Sequence, residues 1–275
     1  MSDFISTSIN SAPMIMGIVN VTPDSFSDGG DFYNPARAIS HGLQLIEEGA
    51  HILDIGGEST RPNAEIVSIE EEIKRVVPVI EGLSGKAPFI SIDTRNAQTM
   101  RAAIKVGANI VNDVSGLLYD EGSIDVVAEA QVPVCIMHSQ GTPQDMQDSP
   151  EYGDVVDDIL AFFEERMETC SKRGIKQNKI IVDPGIGFGK TLDHNLKIIA
   201  QLDRFHQFGC PILLGVSRKS FIGKISDEDQ AKNRLPGSLA SALVGLEKGT
   251  QIFRVHDVKE TKQAFDVHQA IYSAT

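Results

Sequence analysis

Cysteine is scarce and apolar runs are short. The three cysteines, Cys135, Cys170 and Cys210, are scattered, odd in number and without metal-ligand spacing. That pattern argues against a disulfide framework or a cysteine-rich zinc site and fits reduced, buried thiols in a reducing cytoplasm. No apolar run approaches the roughly 20 residues of a membrane span. Met1–Pro13 is polar and serine-rich, without a basic, apolar export segment; it reads as a loose arm or short strand ahead of one domain over residues 14–275. Positive charge is also in deficit, with 25 Lys and Arg against 38 Asp and Glu and a net charge of −13. Such a field repels nucleic acid and anionic membrane, so neither is an expected partner, and any anion site must be a local basic cluster.

What the chain does have is alternation. Short runs of Ile, Val and Leu mark strands over Met14–Asn20, Ile52–Gly56, Phe89–Asp93, Ile110–Asp113, Val132–His138, Lys179–Asp183, Pro211–Val216 and Ile252–Val255. Their near-continuous apolar character suits strands covered on both faces. Helix signals lie between them: Asn34-Pro35 as N-cap and first helical residue, a capping box at Ser68–Glu71, and Gly49, Gly107, Gly174, Gly209 and Gly249 as helix stops. Gly49–Asp54 recurs as Gly107–Asn112 and more loosely as Gly249–Arg254, a helix stop followed by a buried strand. Eight strand–helix units need roughly 250 residues, and the pattern favours a closed (β/α)8 barrel over an open doubly wound sheet.

In such a barrel the polar residues at strand C-termini bind or catalyse. Here they are Asn20, Asp54, Asp93, Asn112, His138, Asp183, Ser217 and Arg254; Asp54 suits a structural role equally well. The run Asp183–Thr191 resembles a nucleotide loop only superficially, because Pro184 stands where a Walker A loop needs glycine and Lys190 breaks the G-x-G-x-x-G spacing. Its glycines fit a loop passing close over a flat ligand. His138, His194 and His256 have no zinc spacing, and His194 reads as a helix-surface residue. Ser217–Ser220 and Arg254–His256 put a basic cluster after strands 7 and 8, the usual phosphate site of these barrels, and Arg61 can add a charge. Long polar loops over Asn20–Gly30 and Gly56–Pro62 read as lids or binding loops.

At these residues the chain closely resembles the dihydropteroate synthase family. The matching runs are Met16–Gly30, Gly57–Pro62, Ser91–Thr94, Asn112–Gly116, Met137-His138, Asp183–Lys190, Gly215–Gly223 and Arg254–Val258, in order over nearly the whole chain. Asn63, where the family commonly has glycine, and Ser139 are small departures. The resemblance implies a homodimeric (β/α)8 enzyme that condenses 4-aminobenzoate with (7,8-dihydropterin-6-yl)methyl diphosphate, using Mg²⁺. It puts the metal ligand at Asn20 and pterin and diphosphate binding at Thr60, Asp93, Asn112, Asp183, Lys219, Arg254 and His256. It puts the 4-aminobenzoate pocket at Phe26, Thr60, Arg61, Pro62, Lys219 and Ser220, and catalytic roles at Asp93, Lys219 and Arg61.

The residue types suit that chemistry. A carboxylate matches the adjacent N–H donors of a pterin edge, an amide serves the remaining ring nitrogens, and a lysine can donate to the ring carbonyl. Arginine, histidine and Mg²⁺ stabilise the charge that grows on a departing diphosphate. Asn20 alone does not imply a metal; that assignment follows from the resemblance. Two alternatives remain at this point: a pterin-binding methyltransferase using methyltetrahydrofolate, which needs neither the two-loop lid nor the basic cluster, and a non-catalytic pterin binder, which needs no leaving-group site.

Overall fold

The computed structural model describes residues 12–22, 34–58, 67–141 and 150–274. Strands β1 (Met14–Asn20), β2 (Ile52–Gly56), β3 (Phe89–Asp93), β4 (Ile110–Asp113), β5 (Val134–Met137), β6 (Ile180–Asp183), β7 (Leu213–Leu214) and β8 (Ile252–Val255) form one parallel eight-stranded sheet in the order β6-β5-β4-β3-β2-β1-β8-β7. A bridge between Val182 and Ile212 joins the two ends, with the Val182 N–H donating to Pro211 O at 3.0 Å, and closes the sheet into a (β/α)8 barrel. Around it lie α1 (Pro35–Glu47), α2 (Ile69–Leu83), α3 (Ala97–Lys105), α4 (Ser123–Ala130), α5 (Val155–Lys172), α6 (Leu192–Ala200), α7 (Ser220–Ser226), α8 (Leu235–Glu247) and α9 (Val258–Tyr272).

Three strands are shorter than the apolar runs suggest. Pro133 and Pro211 have no N–H for a ladder, and each offers only its carbonyl, to Val111 and Val182 respectively. Lys179 closes a 3₁₀ turn instead of opening β6. The arm read over 1–13 lies almost wholly outside the described residues.

Side chains alternate along every strand. Ile15, Val19, Leu53, Ile55, Ile90, Ile92, Val111, Val134, Ile136, Ile180, Val182, Leu214 and Phe253 face the helices and form the main core. Met14, Met16, Ile52, Ile110, Cys135, Ile181, Leu213 and Ile252 form a separate cluster inside the barrel. The lumen is thus plugged with apolar side chains at the strand N-termini, and polar ones crowd its other end.

The helix signals hold with one change. The Asn34 side chain accepts from Ala36 N, and the Ser68 side chain accepts from Glu71 N. Glu71, however, pairs with Arg75 and Lys74 instead of returning to Ser68. The repeated junction is one motif: Gly49, Gly107 and Gly249 have φ of +106°, +126° and +82°. Each donates to the carbonyl three residues back, and the next residue donates to the carbonyl five back. These are the two bonds of a Schellman stop, which requires the left-handed conformation that glycine adopts without strain. Gly174-Ile175 makes the same pair of bonds, as the helix stop read at Gly174 requires, although the letters after it do not repeat the Gly49 junction.

Candidate active site

Inward-facing polar residues at the C-terminal ends of β2, β3, β4, β6 and β8 gather at one mouth of the lumen. In register, Asp93 on β3 lies between Gly56 on β2 and Asn112 on β4, while Met137 on β5 lies beside Asp183 on β6. Arg254 reaches in from β8, its Nε–H donating to Asp54 Oδ2 at 2.6 Å and its Nη2 to Asp93 Oδ2 at 2.7 Å. Asn112 Nδ2 donates to the same Asp54 oxygen at 3.1 Å. Asp54 is fully buried, and its Oδ1 has no partner among the described residues.

The charges in this knot are coupled. Burial pushes the Asp93 carboxyl up to about 7, against the pull of Arg254 and with help from the neighbouring Asp54, Glu72 and Asp113. Burial works against the Arg254 charge too, but Asp54 and Asp93 more than offset it and hold the guanidinium above its ordinary range. Only two of the five guanidinium N–H groups are bonded to the carboxylates, so Arg254 can still meet an anion arriving from the barrel mouth.

Across the lumen, Asp183 faces Lys219. The Asp183 Oδ1 accepts from Gly185 N at 2.7 Å, and the Lys219 ammonium donates to Ile186 O and lies 4.7 Å from the Phe188 ring centre. Burial raises Asp183, opposed chiefly by Lys219. Burial lowers Lys219 to about 8, opposed by Asp183 and assisted by Arg254. The loop that carries these contacts turns on glycines. Gly185 has φ +72°, and a Cβ there would collide with the carbonyl of His138; Gly187 has φ +86°, and a Cβ there would press within 3.3 Å of the Lys219 side chain. Asn195 ties the loop to α6, its Oδ1 accepting from Gly187 N at 2.6 Å.

Of the residues singled out from sequence, Asp93, Asn112, Asp183, Lys219 and Arg254 gather at this mouth. Asn20 ends β1, half-buried and in register with Gly56. His256 follows β8, with Nδ1 3.0 Å from Ser217 Oγ. Ser220 is exposed at the first turn of α7. Phe26, Thr60, Arg61 and Pro62 lie outside the described residues.

Several other strand-end or loop residues play different parts. His138 turns outward, edge-on to Phe162 of α5 at 4.9 Å between ring centres. Arg218, in the basic run, forms a two-point pair with Asp257 and does not join the mouth. His194 completes a capping box with Thr191 at the start of α6. Asp113 faces outward and accepts from the backbone N–H and hydroxyl of Ser115 at 2.7 and 2.6 Å. Sequence reasoning undervalued Asp54, whose place one residue pair before the strand end hid its contact with Arg254. It also passed over Lys190, which looked like part of a failed nucleotide motif.

Among the described residues, no group of three or more His, Cys, Asp or Glu is placed to hold a metal, and no helix is long and apolar enough to cross a membrane. The family model for "Pterin binding enzyme" matches residues 16–256. Dihydropteroate synthase of Escherichia coli K12 is 46% identical over 265 residues, 96% of this chain and 93% of its own length. The structure of Xanthomonas albilineans dihydropteroate synthase with 4-aminobenzoic acid superposes with a TM-score of 0.89 at 45% identity, covering 95% of this chain and 93% of that one. The same enzyme in complex with 7,8-dihydropteroate gives a TM-score of 0.86 at 42% identity, with 95% and 94% covered. With the family model matched over most of its length and relatives of this identity aligned nearly end to end, the chain belongs to the dihydropteroate synthase family of pterin-binding enzymes.

Proposed function

We propose that the barrel mouth carries out the family reaction, joining 4-aminobenzoate to (7,8-dihydropterin-6-yl)methyl diphosphate to give 7,8-dihydropteroate and diphosphate. The observation that carries this reading is the convergence at one mouth of Asp183, Asn112 and the loop-held Lys219 with the Asp54–Arg254–Asp93 knot. Asp183 and Asn112 take the pterin edge, and Lys219 meets the ring carbonyl. Arg254 and His256 receive the diphosphate and hold its growing charge. Asp93 lies where a carboxylate can steady a pterin methylene cation after early departure of the leaving group. Phe26, Thr60, Arg61 and Pro62 of the first two loops, with Lys219 and Ser220, form the aminobenzoate pocket, and Arg61 or the surroundings of Ser220 meet its carboxylate.

Mg²⁺ suits this site as an ion carried largely by the substrate. Among the described residues no group of three or more His, Cys, Asp or Glu could hold an ion; the half-buried Asn20 amide would be a protein ligand, with phosphate oxygens and water supplying the rest. Bound there, the ion supplies charge neutralisation for the diphosphate. The enzyme works in the cytoplasm as a homodimer; Val244 on α8 and Val267, Ile271 and Tyr272 on the neighbouring α9 are large apolar side chains left exposed, and such patches favour self-association.

A turnover assay with both substrates, with and without Mg²⁺, tests the reading. Stoichiometric diphosphate release is expected, and methyl transfer or pterin binding without release would overturn it. At the methylene carbon, a small carbon-13 and a large secondary deuterium isotope effect are expected. The reverse pattern would indicate concerted displacement.

A further inference from the structure

Lys190 is the residue of the Asp183–Thr191 loop that the proposed mechanism leaves unused. Its side chain is 2% exposed, and its Nζ donates to Phe188 O at 3.0 Å and His138 O at 3.2 Å and lies 3.0 Å from His138 Nδ1. Three acceptors match the three protons of an ammonium, which makes His138 Nδ1 a lone-pair acceptor. None of the three partners is an anion. Tying a loop does not need a charge: Asn195 ties the same loop at Gly187, Lys190 O and Thr191 O with a neutral amide. Burying an ammonium is costly unless something compensates it.

The compensating anion is Asp183. A Cβ built on Gly185 would lie 3.3 Å from Lys190 Nζ, and Gly185 N donates to Asp183 Oδ1 at 2.7 Å. His138 N donates to Asp183 O at 3.0 Å. The ammonium therefore sits directly behind the turn that holds the carboxylate, on the side away from the lumen.

We propose that Lys190 is a positioning residue for pterin binding, which fixes the Gly185–Gly189 loop and supplies from behind a second positive charge that keeps Asp183 a carboxylate. The proposal rests on the reading that Asp183 grips the pterin edge. The groups facing Asp183 are Lys219 from the β7–α7 connection, Arg254 from β8, Lys190 from its own loop and the buried Cys135 thiol from β5. Those facing Lys190 are Asp183, Lys219 and His138. Burial lowers Lys190 to about 7 against the pull of Asp183, and burial and Lys190 together lower His138 to about 3. The charge behind Asp183 is thus present below about pH 7 and fades above it.

The test is calorimetric titration of the full chain with 6-hydroxymethylpterin from pH 8 to 5.5, comparing wild type, Lys190→Gln and Asp183→Ala. Without the charge behind it, Asp183 should protonate at higher pH. The wild-type to Lys190→Gln affinity ratio should then grow by roughly five- to tenfold as pH falls, a shift of up to about one pKa unit. A ratio constant with pH would reduce Lys190 to a loop tie and overturn the proposal. Should the variant not fold, carbon-13 NMR of labelled lysine in the wild type decides: by linkage, pterin must raise the Lys190 titration midpoint, and an unmoved midpoint overturns the proposal. Asp183→Ala that binds pterin like wild type would instead sink the functional reading itself.

Discussion

The lumen of the barrel holds two layers contributed by the same strands. In the lower layer Met16, Ile52, Ile110, Cys135, Ile181, Leu213 and Ile252 form one buried apolar cluster. One inward position further along the strands stand Asp54, Asn112, Asp183 and Arg254, every one a polar group with a buried or half-buried partner. The lower layer keeps water out and the strands in place. The upper layer has charges whose mutual cost is borne by that packing, an arrangement that separates stability from chemistry within a single side-chain step.

Substitutions in each layer should therefore separate along the same line. The largest loss is expected from Ile52→Ala, fully buried in the lower layer, which should cost about 2–5 kcal/mol in urea unfolding. Its pterin affinity at low temperature should stay near wild type, and a parallel loss of affinity would show that the layers are not independent. Next comes Asp183→Ala, expected to lose at least about 1.5–3 kcal/mol of pterin affinity with little change in unfolding free energy. Unchanged affinity by calorimetry would remove Asp183 from the pterin site.

A pH-dependent effect on stability is expected at Asp93. Folding raises this carboxyl to about 7. Its stabilising contribution is full below an unfolded-chain value of about 3.9 and is lost as pH rises through 7. Asp93→Asn removes that titration, so its stability relative to wild type should climb across this window and level off above it. A flat difference would mean that Arg254 compensates Asp93 completely. The smallest effect on pterin binding belongs to Arg61→Ala, expected to leave that affinity intact while lowering turnover, with KM for 4-aminobenzoate raised. Loss of pterin affinity would place Arg61 in the other subsite.

The fold was legible because its signals are local. Ile, Val and Leu runs, an Asn-Pro cap and glycine stops each act over a few residues, and the Gly49 and Gly107 junctions share their Gly-Ala start and the isoleucine that opens the strand. The site was legible where the strand-end rule applies, as at Asp93, Asn112, Asp183 and Arg254. It was not legible where a partner comes from far along the chain. Asp54 meets Arg254 from the opposite end of the sequence, and Lys190 meets His138 across a strand and a helix. Arg218 looked like a phosphate ligand until Asp257 claimed it, and His138 sits at a strand end but turns outward. Sequence spacing carries no information on such pairings.

The seam between β6 and β7 has a consequence for ligand binding. With β7 only two residues long, the ring of hydrogen bonds is thinnest there and is held by the Val182–Ile212 bridge. Asp183 leaves one lip of that seam, and the segment leading to Lys219 leaves the other. Any breathing of the barrel along this line moves the two groups apart. A pterin gripped by both would act as a clasp across the gap, so amide exchange along 212–216 should slow when it binds, and the protein should gain rigidity where its backbone alone provides least.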